Sequence, residues 1–506
     1  MDPLFEIELD LPTPGARNVA DSLYCQLKAA IVGGRLPPGA RMPATRKSAR
    51  FLRVSRATAM DVYERLINEG YLVSVRGSGT YVADTNRAVV TRAAVRPVGG
   101  LDRRINEFWG RGEVKAALNF WQDGPQARAR APGAPEVDFR PALVDSRLFP
   151  FAELRKALAR QFRTLEKRPA SYRSAQGNQG SFRLREAIAR HITVTRAVVC
   201  DPDEILISCG AQQAFDVLAR VLVKGPETVV AVEEPGYPPM RVAFAAAGAT
   251  IVPVGVDAEG MSLDEIPERV NVICVCPSHQ FPLGMTMSAE RRKALIELAR
   301  AREAVIVEDD YDGEFRHDGA ALQALRSTDA ADVVFYVGTF SKCMLPALRL
   351  GFLVAPDWAL GALVLAKNCL DWHCSTPTQL AVAGFIADGH LARHIRKMRH
   401  IYAERRGALL MSLREKFDDR LDVVPSLYGM HVTALARTTA VDLENVATGL
   451  LRNNVKLHTL RRYYLGPERR QGLVFGLGTA DLPGIERGLS ELYSAMLPAD
   501  DVNRLK

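Results

Sequence analysis

The stretch VVFYVGTFSKCMLPALRLGFLVA, residues 333–355, decides the fold. Two apolar runs, 333–338 and 351–355, flank a polar turn that carries Lys342 and Arg349. A run that stays apolar instead of alternating reads as a strand buried on both faces. The same texture recurs upstream in ILIS 205–208, TVVAV 228–232, VNVICVC 270–276 and AVIVE 304–308, with helical patterns between. Strands alternating with helices specify an α/β sheet from about residue 136 onward. Ligands of such sheets bind beyond the carboxyl ends of the strands.

Each of those ends carries chemistry. After ILIS comes CGAQQAFDVLARVL, a helix start at Gly210–Ala211–Gln212 whose free backbone N–H groups suit a phosphate. After TVVAV comes EEPGYPP, in which Gly236 and Pro238 hold Tyr237 as a flat face for an aromatic ligand. PSHQFPLG follows the third run and EDDYDGEF the fourth, a cluster of carboxylates around one tyrosine. A phosphate is served by the helix start, by Ser341 or Thr339 and by Arg349. A ring nitrogen that must stay protonated is served by a buried Asp, and a carbonyl by the Lys342 amine as a Schiff base. The one ligand that needs all of these is pyridoxal 5′-phosphate. A lone S-K is an ordinary surface lysine and D-D-Y-D an ordinary turn; their order along successive strand ends is what carries the reading.

The chain has 506 residues, 47% hydrophobic and 25% charged, too long for one core and too apolar for wholesale disorder. No apolar run reaches the ~18 residues of a membrane helix. The acidic MDPLFEIELD is not a signal peptide, so a cytoplasmic protein is expected. Eight cysteines are too sparse for a disulfide scaffold. Cys274 and Cys276 read as small residues of a buried strand, and no metal site is read. Residues 15–84 hold 11 Lys+Arg against 5 Asp+Glu, and residues 85–135 hold 9 against 4, on an otherwise nearly neutral chain. A basic N-terminal module points to a polyanion, most simply nucleic acid.

Within that module Leu23, Leu27, Ala30 and Ile31 mark one helix. After the breaker GGRLPPGARMP, Thr45 is expected to cap a second, through Leu52. Ser55 is expected to cap a third, with Ala59, Val62, Tyr63, Leu66 and Ile67 on its buried face and Gly70 ending it. YLVSV and TYVA flank RGSG as a two-stranded hairpin. Three helices and a wing describe an α+β winged helix-turn-helix, whose recognition helix enters the major groove by its N-terminal end.

LPPGARMPATR, VSRAT, LINEGYL and RGSGTYV resemble the GntR family of bacterial regulators over about residues 18–83. The resemblance implies DNA contacts from Arg46, Ser55, Arg56, Thr58, Arg76 and Gly77. Arg53 stands where that family usually has glycine. From about 137 to 497, the phrases PSHQFPLG, EDDYDGEFR and GTFSKCMLPALRLG resemble the fold-type I aminotransferase-like domain of the MocR/GabR group, in which a GntR head is fused to such a domain. Carried over, Lys342 is the Schiff-base lysine and Asp309 pairs with the pyridinium nitrogen. Tyr311 touches the ring hydroxyl, Tyr237 stacks on the ring, and Ala211, Gln212, Ser341 and Arg349 hold the phosphate. His279 or Gln280 stands where related enzymes place an Asn near the ring hydroxyl. The resemblance also implies a homodimer.

The expected organisation is a winged helix-turn-helix domain at 15–84, a basic semi-flexible linker at 85–135 with Trp109 and Trp121 as docking points, and the pyridoxal-phosphate domain at 136–500. Three departures bear on function. Cys343 follows the lysine where a hydroxyl residue is usual. YRSAQGNQG makes Tyr172 an irregular cross-subunit phosphate ligand. The strand GLVFGLG 472–478 lacks the Arg that many aminotransferases use to grip a substrate carboxylate; Arg469 and Arg470 precede it. The expected function is therefore a regulator that binds an operator and senses pyridoxal 5′-phosphate or its adduct with a small amine or amino acid. A working aminotransferase with an accessory head is the alternative.

Overall fold

The computed structural model describes residues 9–12, 18–84, 104–120, 136–167, 177–316, 322–426 and 429–497. The chain forms two compact units, Met1–Gly100 and Leu101–Lys506, each described here by itself.

The first unit contains, in chain order, α1 (Val19–Val32), β1 (Arg41–Met42), α2 (Thr45–Phe51), α3 (Arg56–Asn68), β2 (Leu72–Val75) and β3 (Gly79–Val82). Helix α3 starts where Ser55, held extended, accepts the Thr58 amide at 2.9 Å, satisfying one of the donors that every helix start leaves over. The stripe Ala59, Val62, Tyr63 and Leu66 is buried, and Val62 and Leu66 contribute about 1.5–3 kcal/mol each by leaving water. Gly70, at φ 77°, turns the chain left-handed so that the Tyr71 amide reaches Leu66 O at 2.8 Å.

Two local expectations change. Thr45 is the first residue of α2 rather than its cap; Ala44 occupies the cap position without a side-chain bond. The wing is three-stranded, because Arg41 and Met42 pair with Tyr81 and Thr80 of β3. A strand of two residues between Gly39 and Pro43 has no room for a periodic signal. The side chain of Arg41 extends along the wing and donates from Nη2 to Ser78 O at 2.8 Å.

Arg53 sits at φ 54° in the turn between α2 and α3. A side chain in that region costs roughly 1–2 kcal/mol, and glycine adopts it freely at an entropic cost of about 0.5–1 kcal/mol. Arg53→Gly is expected to stabilise the head by up to about 1 kcal/mol, and Arg53→Ala to leave it unchanged. Amide exchange in α3 reads the difference; equal protection in both variants would remove the strain argument.

In the second unit, the stretch expected to be linker is partly folded. Helix α4 (Gly112–Leu118) buries Val114 and Ala117 against Val242, and Phe120 is buried in an aromatic cluster. The linker reading is thus corrected for residues 104–120. Trp109 stays 46% exposed, so the docking ring is Phe120 instead. Trp121 and Tyr172 lie outside the described residues.

Strand β4 (Val137–Asp138) and helices α5 (Phe151–Lys167) and α6 (Phe182–Arg196) lead into the central sheet. Its strands are β5 (Ile205–Ser208), β6 (Val229–Glu234), β7 (Thr250–Asp257), β8 (Gly260–Met261), β9 (Val272–Val275), β10 (Val305–Asp310), β11 (Val334–Thr339) and β12 (Gly351–Val354). They lie in the order β5-β12-β11-β10-β9-β6-β7-β8. From β11 to β7 the neighbours are parallel; β12 runs antiparallel to both its partners. Helices α7 (Ala211–Leu222), α8 (Pro238–Ala246) and α9 (Ala289–Ala301) connect parallel strands, as such crossovers require. Beyond the sheet come α10 (Asp357–Asp371), α11 (Thr376–Ala387) and the long α12 (His390–Phe417). A second sheet, β13 (Leu421–Val423), β14 (His431–Ala436), β16 (His458–Thr459) and β17 (Gly472–Gly476), packs with α13 (Leu443–Leu450) and α14 (Leu482–Met496), while β15 (Val455–Lys456) pairs with β4. Among the described residues no helix is long and apolar enough to cross a membrane.

Candidate functional site

The central sheet gathers its strand ends by register. Gly351 stands opposite Thr339 on one side and Ser208 on the other, and Asp309 opposite Val337. The loops after β5, β6, β9, β10 and β11 therefore open on one edge, where the residues singled out above converge.

Lys342 follows β11 by three residues. Its Nζ donates to Ala142 O at 2.8 Å, so a carbonyl from the segment after β4 fixes the amine. Burial and the guanidinium of Arg349 push its pKa down to about 8, against the pull of Asp312 and Asp309. An amine near neutrality is a usable nucleophile. Asp309, near the end of β10, is 5% exposed, and its Oδ1 has no hydrogen-bond partner among the described residues. A buried carboxylate oxygen without a donor is costly, and it marks where a ligand N–H belongs.

A helix start and an arginine, the candidate phosphate cradle, meet at the end of β5. Gly210, at φ 79°, lets α7 begin at once, leaving the amides of Ala211 and Gln212 in its first turn. A Cβ on Gly210 would meet the Arg349 guanidinium at 3.2 Å, so glycine is what admits the arginine. Arg349 Nη2 donates to Cys209 O at 2.8 Å. Ser341 shares this edge, its amide and hydroxyl both bonded to Thr339 Oγ1. Gln212 Nε2 donates to Pro239 O at 2.9 Å, while its buried Oε1 has no hydrogen-bond partner among the described residues.

The candidate ring walls lie on the other loops. Tyr237 caps α8 and meets Phe281 and Phe120 edge-on at 5.7 and 6.1 Å. Tyr311 hydroxyl lies 2.7 Å from His279 Nδ1, which in turn contacts Asp312 at 3.0 Å. Of the two candidates near the ring hydroxyl, Gln280 is used within its own loop and toward the loop after β6. Its Nε2 donates to Pro235 O and Phe281 O at 2.8 and 2.9 Å, and its Oε1 accepts the Leu283 amide. That corrects the expectation for Gln280: its amide braces a turn, and His279 is the residue joined to Tyr311.

In the head, Arg46, Arg56 and Arg76 are exposed, and Gly77 sits at φ 79° at the wing tip. Ser55 and Thr58 hydroxyls bond each other at 2.8 Å, fixing the start of α3.

The family description "Aminotransferase class I and II" matches residues 143–471, and "Bacterial regulatory proteins, gntR family" matches residues 19–82. The probable rhizopine catabolism regulatory protein MocR of Rhizobium meliloti is 34% identical over 485 residues, which cover 96% of this chain and 94% of that protein. This chain belongs to the MocR family. The pyridoxine biosynthesis regulator PdxR of Corynebacterium glutamicum is 29% identical over 479 residues, 95% of this chain and 96% of that one. The crystal structure of LysN, an α-aminoadipate aminotransferase from Thermus thermophilus complexed with N-(5′-phosphopyridoxyl)-L-leucine, is 27% identical and superposes with a TM-score of 0.66, covering 79% of this chain and all of that one.

The cofactor of this MocR-type fold is pyridoxal 5′-phosphate, and the residues present fit it. Asp309 Oδ1 lacks a donor, Gly210 admits a guanidinium beside a helix start, and Lys342 is a half-buried amine whose pKa is pushed down to about 8. When bound, the cofactor supplies an aldehyde for an amine and an electron-accepting ring. The chain's residues would hold the phosphate at α7 and Arg349, keep a proton between Asp309 and the ring nitrogen, and place the Lys342 amine against the aldehyde carbon.

Several residues of this MocR-family site carried no signal in the sequence. His431 lies 4.4 Å from His279, ring centre to ring centre, and Met430 donates its amide to Asp312. Phe120 and Ala142 lie far upstream of the strands they serve. Only the fold brings them there.

The site is rich in acids held protonated. Burial first, and neighbouring acids second, push Glu308 up to about 7 and Asp309 to about 8; burial also pushes Asp312 to about 7 and Glu233 to about 8. Arg196 sits 2.5 Å from Asp310, so this acid of the group has a guanidinium against it. Below about pH 6.5 buried histidines oppose these acids, since burial lowers His279 and His431 to about 3 and unfolding lets them charge. Above that pH the acids dominate, and the lowered Lys342 opposes them only as pH reaches about 8. The folded state binds protons that the unfolded chain has already released, so stability falls as pH rises. Cofactor-free protein is expected to melt several degrees lower at pH 8 than at pH 6.5, with added pyridoxal 5′-phosphate narrowing the gap. A flat profile would mean that these carboxyls are already ionised.

Proposed function

We propose that the chain is a homodimeric transcription regulator of the cytoplasm. Its large domain senses pyridoxal 5′-phosphate, alone or joined to a small amine or amino acid, and its heads bind a double-stranded operator with two repeats. Arg46, Ser55, Arg56, Thr58, Arg76 and Gly77 are the proposed DNA contacts. Lys342, Asp309, Tyr311, Tyr237, Ser341, Arg349 and the amides of Ala211 and Gln212 are the proposed cofactor contacts. The observation that favours sensing over catalysis is β17. Its residues are buried and include no arginine, and Val474 packs with Phe281 and Tyr311 in an apolar cluster. Arg469 and Arg470 are exposed. A substrate carboxylate would meet hydrocarbon there, which disfavours the uniform grip that turnover of amino acids needs.

A ligand moves an equilibrium only by binding one arrangement better, and the coupling is reciprocal. An operator selected from a random duplex pool by the full-length protein should therefore bind with an affinity that changes at least five-fold with the cofactor. Operator affinity indifferent to the cofactor, together with sustained multi-turnover transamination, would replace this reading with the working aminotransferase.

A further inference from the structure

Cys209 sits between β5 and α7, and Cys374 between α10 and α11. They are 165 positions apart, yet Cys209 Sγ lies 3.3 Å from Cys374 Sγ. Around them is a small polar set. Asp371 Oδ2 accepts from Gln213 Nε2 at 2.8 Å and contacts Cys209 Sγ at 3.5 Å, while its Oδ1 receives the ammonium of Lys367, a side chain fully out of water. Cys209 is half-buried and Cys374 is buried. The two thiols are unlike electrostatically. A hydrogen bond from Cys374 and the charge of Lys367 lower the pKa of Cys209, and the same bond with burial raises that of Cys374. A reachable thiol whose pKa is lowered against burial and the Asp371 carboxylate, with a buried thiol 3.3 Å behind it, is the arrangement of an oxidisable pair.

We propose that Cys209 and Cys374 are an oxidative modification site in which peroxide converts two thiols into a reversible disulfide. The Cys209 thiolate attacks a peroxide oxygen; an S–O bond forms, the O–O bond breaks, and the leaving hydroxide takes a proton to become water. Sulfur loses two electrons and peroxide gains them. Cys374 then attacks the Cys209 sulfur; the S–S bond forms, the S–O bond breaks, and a second water leaves with the Cys374 proton. The sum is two thiols and one hydrogen peroxide giving one disulfide and two waters. A metal ion held by Cys209, Asp371 and Cys374 is the competing occupant of these atoms. The Lys367 ammonium on Asp371 opposes a divalent cation there.

Closure has a consequence that rests on the cofactor site proposed above. The sulfurs must approach to about 2.05 Å. Both backbones are held: the Cys374 carbonyl by Gln379 Nε2 at 2.7 Å, the Cys209 amide by Gln213 Oε1 at 2.7 Å and the Cys209 carbonyl by Arg349 Nη2 at 2.8 Å. Any backbone shift that closure draws from Cys209 pulls on the bond that seats Arg349 and on Gly210, which opens α7. Oxidation is expected to weaken pyridoxal 5′-phosphate binding at least ten-fold.

The full-length protein is exposed to hydrogen peroxide and digested for mass mapping. The expected product is a Cys209–Cys374 cross-linked peptide that a phosphine reverses. In Cys374→Ser, dimedone should trap a sulfenic acid at Cys209; in Cys209→Ser, Cys374 should stay unmodified. Both thiols remaining open to alkylation would overturn the proposal, as would equal reactivity of Cys374 without Cys209, or one equivalent of zinc shielding both. Cofactor titration separates the second claim. Equal affinity of oxidised and reduced protein would overturn the link to the cradle while leaving the cross-link standing. A reduced protein that binds no cofactor would overturn the proposed cofactor site and leave the cysteine pair to the mass map.

Discussion

Lys342→Ala is expected to abolish covalent capture of pyridoxal 5′-phosphate. The wild-type protein should develop a visible absorption band on adding the cofactor, and borohydride should remove it and leave a stable link. The variant should show neither. The size of the effect follows from the geometry: Lys342 is the half-buried lysine of this edge, pinned by Ala142 O, with its pKa pushed down to about 8. Alanine leaves the phosphate cradle of Gly210 and Arg349 intact, so weak non-covalent binding should survive, with DNA binding no longer responsive in the wild-type way. A variant that still acquires a borohydride-reducible link would move the assignment to another lysine.

Arg56→Ala is expected to remove specific operator binding. Arg56 is the first residue of α3 and exposed, beside the Ser55–Thr58 pair that sets the direction of the helix start. One arginine contact to a base edge discriminates by about 1–3 kcal/mol, and in the proposed homodimer two heads on paired half-sites double that, so affinity for the selected operator should fall by up to about four orders of magnitude. Affinity for random duplex should fall far less, because its charge contribution is spread over many residues. Cofactor binding should be unchanged. Equal operator affinity in variant and wild type would take Arg56 out of the interface.

Much of this was legible in the chain because its signals are local. The buried stripe of α3 lies within eight residues, and the doubly covered strands are continuous apolar runs, so the sheet and its loops could be read directly. Strand β7 escaped because Pro253 interrupts it. Strand β1 is two residues long and exists only by pairing with β3. Gln280 spends its amide on Phe281 O of its own turn and on Pro235 O of the loop after β6, and the second partner is set only by the fold. Phe120, His431 and the sulfur pair depend on packing between residues far apart in sequence, and no periodicity encodes that.

The return of β12 alongside β11 has a last implication. Thr339 and Gly351 are paired, so Lys342 and Arg349 belong to one closed loop of the sheet, with the Phe340 amide bonded to Leu350 O at 3.1 Å. Under their proposed roles, the group that takes the aldehyde and the group that takes the phosphate sit on the same short span, which works as a caliper. A ligand is measured from end to end without any moving part. The dephosphorylated vitamer touches one jaw only, and a free amine touches neither, so the loop itself selects the complete cofactor before any distant element responds.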